Sequence, residues 1–433
     1  MKFMINRSFA AIASALALSA SVTGLRADMV TDWNANLEHA IFATGQLAPA
    51  QPRFSAIVQV AVYDAVNGIA RKYTPYYVTE RAPAGARQEA AAVQAAYTVL
   101  KALYPSQAAT LDSQLADSIA QIPGSYGNSI SIRLGLAWGE HVGNLILALR
   151  ANDGWSTPPP PYFGGGAAGI WRSPPTATNP DGTLPAAFTQ NGILTPFTMT
   201  SQSQFRPGPP PALTSTQYAD DVNEVKAIGR LDSSVRTSDQ TQLALLWQAA
   251  GLVDENRIAR SLVPAENSLV DNARLFALLN MTACDALIAG FDSKMTYNLW
   301  RPYHAIRLAD TDGNPATDAD PNWNSLFIAP RFPEYMSNHA VVTSSFMHVL
   351  ARELGDEHTF TLSSPNYPSF TWTFSRCSDA AAQVKEARIW AGIHFRNSCN
   401  VGAAVGVALA DYVLSHFLFL VESDDQQSNN DAQ

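Results

Sequence analysis

Three short segments near the C-terminus carry residues able to grip a tetrahedral oxyanion. They are Lys294-Met-Thr-Tyr-Asn-Leu-Trp-Arg301-Pro302, Ser337-Asn338-His339 and Arg388-Ile-Trp-Ala-Gly-Ile-His394. Together they supply three fixed cations, a hydroxyl and two imidazoles. Arginine offers an oxyanion two parallel hydrogen bonds and lysine offers a compact charge. Phosphate and its analogue vanadate are anions of the right shape. Lys294 and Arg301 are seven residues apart, which on a helix places them nearly on one face. Pro302 disfavours helix at Arg301, so the guanidinium is expected at a helix end. Ser337 is a good N-cap for the apolar run that follows it. A helix start exposes backbone N–H groups and the positive end of the dipole, which suits an anion. His339 then falls on the first turn, where an imidazole can exchange a proton near neutral pH. Arg388 and His394 flank Gly392, and an imidazole there can bond a metal-like centre or attack phosphorus. Each piece alone fits a blander role: a solvated helix face, a capping serine, a core histidine. Their joint presence in this order favours one shared anion site.

The elements that must position these residues read mostly as helix. Apolar residues recur at helical spacing over Phe54 to Ile69, Glu89 to Leu103 and Ser129 to Arg150. The pattern returns over Gln217 to Ile228, Thr237 to Trp247 and Ser268 to Ile288, then over Ser337 to Leu354, Ser378 to Ala391 and Val401 to Leu418. No strand-rich region and no internal repeat is expected. Between Trp155 and Thr214 prolines and glycines crowd (Pro158 to Pro161, Gly164 to Gly166, Pro209 to Pro211), which rules against helix. The aromatics of that segment, among them Tyr162, Trp171 and Phe197, predict that it packs down onto the rest. Asp310 to Asp320 is rich in Asp, Asn and Gly but lacks EF-hand spacing, so it reads as a solvated turn. The fold class is therefore all-α, built of helical bundles with one long irregular segment.

Composition bounds the partners. The 433 residues carry a formal net charge of -9, and charged residues make up only 15%. Residues 1–27 contain Lys2, Arg7 and Arg26 and no acid, with an apolar stretch from Phe9 to Val22, and read as a secretory signal ending before Asp28. Without them the chain is more acidic still, which argues against a nucleic-acid backbone as partner. No later segment reads as a membrane span. Export to the periplasm or beyond the cell is the expectation, with one helical domain over 28–421 and a flexible acidic and amide-rich tail over 422–433. There are three cysteines, so at least one is unpaired within the chain. An oxidising compartment would allow a Cys377–Cys399 bridge, contributing about 3 kcal/mol in the loop-entropy view.

The order Lys-x6-Arg-Pro, Ser-x-His, Arg-x5-His resembles the vanadium-dependent haloperoxidases and their relatives, the type 2 phosphatidic acid phosphatases. The wording Tyr297-Asn298-Leu299-Trp300-Arg301-Pro302, Phe332-Pro333-Glu334-Tyr335 and Gly392-Ile393-His394-Phe395-Arg396 is similar to the bacterial exported haloperoxidase-like branch. The motif-bearing stretch covers about 283–406, with a weaker echo at Ala61 to Asn67. The resemblance implies a pair of four-helix bundles and a vanadate cofactor, for which phosphate can substitute. It implies that Lys294, Arg301 and Arg388 neutralise the anion, with Ser337 and the N–H of Asn338 bonding its oxygens. It implies His394 as the vanadium ligand and His339 as the acid–base group, with hydrogen peroxide and halide as substrates. Homo-oligomerisation is left open. The rivals are an exported acid phosphatase with a phosphohistidine intermediate and a non-catalytic anion-binding protein. Three departures stand out. Met336 and Asn338 replace a usual proline and glycine, and Ala387 replaces a serine. Ser398 stands where many members have an acid that orients the last histidine, so another group must orient His394.

Overall fold

In a computed structural model, residues 28–124, 129–176 and 179–421 are described; the expected signal (1–27) and tail (422–433) lie outside them. Helix α1 spans Met29–Thr44, α2 Gln51–Ala70, α3 Gln88–Leu103, α4 Ala108–Gln121 and α5 Ile130–Arg150. After the irregular segment come α6 Thr216–Ile228, α7 Ser238–Ala249, α8 Leu252–Leu262, α9 Leu269–Tyr297 and the short α10 Pro302–Arg307. Then follow α11 Asn338–Leu354, strands β1 Glu357–Ser364 and β2 Tyr367–Arg376, α12 Cys377–Trp390 and α13 Arg396–His416.

The centre is α9, whose residues from Ala273 to Lys294 are almost all buried. A helix that is apolar all round must be enclosed on every side. On one side α2 packs against it, backed by α1, α3 and α5; on the other lie α11, α12 and α13. Two close approaches need glycine. Gly135 and Gly139 on α5 sit against the Arg87 and Ala91 carbonyls of the facing turn and helix α3, and Gly402 and Gly406 on α13 sit against the Ser337 and Val341 carbonyls. A Cβ at any of these four would collide with backbone, so the helices would have to separate. Both α9 and α13 are long and apolar enough to cross a membrane, contrary to the sequence reading. The apolar window of α9 is wholly enclosed in protein, and that of α13 is 39% buried.

The irregular segment packs down, as its aromatics predict. Trp171 is fully buried. The Trp171 N–H donates to the Asn298 carbonyl (2.9 Å) and the Trp300 N–H to Gly169 (2.8 Å), so this segment braces the turn just before Arg301. Its far end is fastened by Asp285 on α9, which accepts from the N–H groups of Phe197, Thr198 and Met199 and from the Thr198 hydroxyl.

Three sequence expectations need correction. First, β1 and β2 form an antiparallel hairpin, pairing Phe360 with Phe374 and Leu362 with Trp372. The alternation in Phe370-Thr-Trp372-Thr-Phe374 has period two, the strand signal, and was available to read. Second, Lys294 and Arg301 do not share one helix. The chain leaves α9 at Asn298, in a left-handed conformation (φ 53°), and Arg301 is extended and precedes α10. Asparagine tolerates that conformation better than most residues. Pro302 does exclude Arg301 from helix, but at a helix start rather than an end. Third, Cys284, Cys377 and Cys399 are all buried free thiols, so the Cys377–Cys399 bridge is absent. The Asp310–Asp320 turn satisfies its own carboxylates: Asp312 accepts from the Asn314 N–H and the Thr317 hydroxyl, and Asp320 pairs with Arg230.

Candidate active site

The three motifs converge at one end of α9. Lys294, Arg301 and Arg388 are each 0% exposed, although each carries a charge that water would solvate. Lys294 Nζ donates to the carbonyls of Glu334 (2.8 Å) and Met336 (2.5 Å), which ties α9 to the segment leading into α11. Arg301 donates from Nε to the Phe332 carbonyl and from Nη1 to the Ile393 carbonyl (2.8 Å). The same Nη1 lies 3.0 Å from His394 Nε2, while Nη2 has no partner. Arg388, in the last turn of α12, bonds Gln248 through Nη2 (3.0 Å), and its Nε is unpartnered. The side chain of Phe332 lies across this group, with the Arg301 guanidinium 5.1 Å and the Lys294 ammonium 5.4 Å from its ring centre, and packs edge-on against Phe291.

His394 is delivered by a turn only glycine can make. Gly392 has φ 75°, and a Cβ there would strike the Gly229 carbonyl. His394 Nδ1 lies 2.7 Å from Glu334 Oε1, which also accepts from the Phe395 N–H (3.0 Å). A carboxylate on one ring nitrogen fixes the tautomer and aims the other nitrogen, here Nε2, at the cations. Glu334 is thus the orienting acid that the sequence reading sought at Ser398. It comes from a different segment, within the quoted Phe332-Pro333-Glu334-Tyr335, so spacing from His394 could not reveal it. A buried acid in an otherwise apolar stretch beside a motif was the available hint.

Ser337 caps α11, accepting from the Ala340 N–H (3.4 Å), as its position predicts. Asn338 opens the helix, and both atoms of its buried amide lack partners. The amide lies over Gly290 of α9, where a Cβ would overlap Asn338 Oδ1. The missing side chain at Gly290 is what makes room for the larger residue at position 338. His339 is half-buried, and no hydrogen bond to its ring is found among the described residues.

A cavity of about 80 Å³ opens onto Asn338, His339, Arg388 and His394. It continues outward past Phe332 and His339 into a wider mouth between Leu47, Phe188 and Arg331.

Electrostatics follow from burial. Loss of water lowers the Arg301 guanidinium to about 10 and Arg388 to about 9, and pushes Lys294 well down, with Arg301 repelling it further. His339 and His394 are pushed well below the ordinary imidazole value by burial, then by the three cations. Burial raises Glu334 to about 7, against the pull of Arg301 and Lys294.

Residues 274–423 match the family model of the VCPO second helical-bundle domain. The vanadium chloroperoxidase of Curvularia inaequalis is 29% identical over 187 residues, 35% of this chain and 30% of that enzyme, so the match spans less than a third of the curated relative. The first bacterial vanadium-dependent iodoperoxidase of solved structure superposes with a TM-score of 0.75 at 21% identity, covering 91% of this chain and 98% of that one. A holo-type bacterial vanadium-dependent chloroperoxidase superposes at 0.67 and 17% identity, over 85% and 91%. The fold is that of the vanadium haloperoxidases. The motif resemblance thus extends from three short segments to the whole helical framework.

The residues fit a small tetrahedral oxyanion such as the vanadate that the motif resemblance implies. Three buried cations face one buried carboxylate, Glu334, and a buried charge without a counter-charge is costly. Among the described residues, Arg301 Nη2, Arg388 Nε and Asn338 Nδ2 are buried donors lacking partners. The first-turn N–H groups of α11 add donors that no helical carbonyl can reach. A small oxyanion satisfies all of these needs at once.

One further acid borders the cavity. Glu255 on α8 is 3% exposed and lines it; Oε1 accepts from the Thr343 hydroxyl (2.5 Å), and Oε2 has no partner. Burial, then Asp254, raises it to about 7. An acid whose folded pKa is raised adds stability that is complete below its unfolded value near 4.5 and lost as pH rises through about 7. At 1.36 kcal/mol per unit, the loss is on the order of 3 kcal/mol. Glu255→Gln should therefore match the wild type in denaturant midpoint at pH 4 and exceed it at pH 8. Equal midpoints at both pH values would mean that Glu255 is not held in its neutral form.

Proposed function

We propose that this protein is an exported vanadate-dependent haloperoxidase, oxidising halide with hydrogen peroxide to hypohalous acid. The observation that carries the proposal is the cradle itself. Arg301 lies against His394 Nε2, the charges of Lys294 and Arg388 act on the same ring, and Glu334 holds the opposite ring nitrogen.

Lys294, Arg301 and Arg388 would hold vanadate and cancel its charge, helped by Ser337 and the N–H of Asn338. His394 would supply the ligating nitrogen through Nε2. Bound vanadate would supply a Lewis acid that activates peroxide toward halide without a change of oxidation state. His339, neutral because burial and three cations oppose its protonation, lines the cavity and would take the proton of incoming peroxide. Phe332 shields the cradle from bulk water, so that its charges act in a low dielectric.

The partners in this reading are hydrogen peroxide and halide, in the periplasm or outside the cell, with no nucleic acid and no membrane span. The negative charge and the enclosure of α9 support it. Vanadate titrated into vanadate-free protein should produce saturable iodide or bromide oxidation by hydrogen peroxide. Absence of that activity, with vanadate instead inhibiting hydrolysis of a phosphate monoester, would move the protein to the phosphatase side of its superfamily.

A further inference from the structure

The inner cavity holds more than the oxyanion cradle requires. Beyond His339 its walls are apolar, formed by Leu252, Leu287, Val342 and Phe332, and the acid among them is Glu255. Glu255 is buried, held on one oxygen by Thr343, and left with Oε2 unpaired. A buried acceptor without a partner costs stability comparable to a lost hydrogen bond. Such groups persist where a ligand completes them. Thr343 lies one helical turn beyond His339 on α11, so this acid and the acid–base histidine border the same space.

We propose that this end of the cavity is a binding subsite for a neutral, largely apolar molecule bearing a hydroxyl, a phenol by class, whose O–H donates to Glu255 Oε2. Charge narrows the choice. An ammonium ligand would meet Arg388, which lines the same cavity, and an anion would lose its water against apolar walls. An apolar body matches the walls, and one hydroxyl matches the unpaired Glu255 Oε2 at this end, as expected of a small-molecule site. A site built to bond a hydroxyl discriminates against the analogue that lacks one, because its polar group is then left unpaired.

Resting on the haloperoxidase reading, the bound phenol is the organic acceptor. Hypohalous acid and an aromatic C–H give a carbon–halogen bond and water, the ring proton leaving with the hydroxyl. Holding the acceptor beside the cradle would favour one ring position over others.

Binding is tested without halide or peroxide, so its outcome is separate from that of the activity assay. The full chain, with inorganic phosphate present for the cradle, is titrated by calorimetry with 4-ethylphenol and with ethylbenzene. Wild type should prefer the phenol by about tenfold, the usual scale of one net hydrogen bond. Glu255→Leu should erase that preference and Glu255→Gln, which keeps an acceptor, should retain it. A preference that survives Glu255→Leu, or no preference in wild type, overturns the proposal. Should the leucine variant not fold, a crystal of the wild type soaked in 4-ethylphenol decides: the phenol oxygen against Glu255 Oε2 upholds the subsite, and any other position refutes it.

Discussion

His339→Ala should leave vanadate bound nearly as in wild type while lowering turnover by about a hundred- to ten-thousand-fold, the scale of general acid–base catalysis. The two effects separate because the groups that hold the anion do not include this ring. Lys294, Arg301 and Arg388 supply the charge, and they are buried and fixed by carbonyls and Gln248. Among the described residues no group hydrogen-bonds to the His339 ring, so its removal strands none of them and should not disturb the fold. Its position on the first turn of α11 gives it access to the cavity, and its suppressed basicity keeps it free to accept a proton. Vanadate affinity and kcat measured on one preparation provide the check. A variant that turns over like wild type would remove the acid–base role. One that loses vanadate would make His339 a holding residue instead.

The residues proposed to hold the anion were quoted from the sequence, whereas the groups that position them mostly were not. Charge and imidazole at fixed spacing survive as a pattern because the chemistry needs those side chains. The route by which they meet is set by packing. Lys294 and Arg301 are two helical turns apart in spacing, yet the left-handed Asn298 and the brace from Trp171 turn the chain between them. Glu334 escaped because its partner lies 60 residues away in sequence. Glu255 escaped for the same reason: its meaning depends on Thr343, 88 residues on. The helices with strong apolar periodicity, such as α2 and α11, were read almost to their ends, since one face of each must be buried. The missed α4, α8 and α10 are shorter than these, and α8 interleaves Asp254, Glu255, Asn256 and Arg257 with its apolar residues; α1, also missed, is as long as α3. Those charges look like solvent in a sequence. In the structure Asp254 and Glu255 are buried, and Arg257 reaches Asp254 and Glu38.

Glu334→Ala should weaken vanadate binding by about a hundredfold, and Glu334→Gln by about tenfold, the range found when the outer partner of a metal-bound histidine is lost. Glu334 Oε1 serves two donors, His394 and the Phe395 N–H, and so fixes both the ring and the start of α13. Alanine removes both bonds. Nothing then selects which ring nitrogen faces Arg301, and three buried cations lose their one buried counter-charge. Glutamine can still accept both hydrogen bonds through its carbonyl oxygen but no longer carries charge. The gap between the two variants therefore divides orientation from electrostatics. Thermal unfolding is the control, because a merely structural glutamate would lower the melting temperature without changing vanadate affinity in the protein that remains folded. Equal, wild-type affinity in both variants would show that His394 is held by something other than Glu334. Equal, large losses in both would show that the charge matters and the hydrogen bond does not. The graded result is expected because the site asks for both: a ring held in one orientation, and a carboxylate in a pocket otherwise crowded with positive charge.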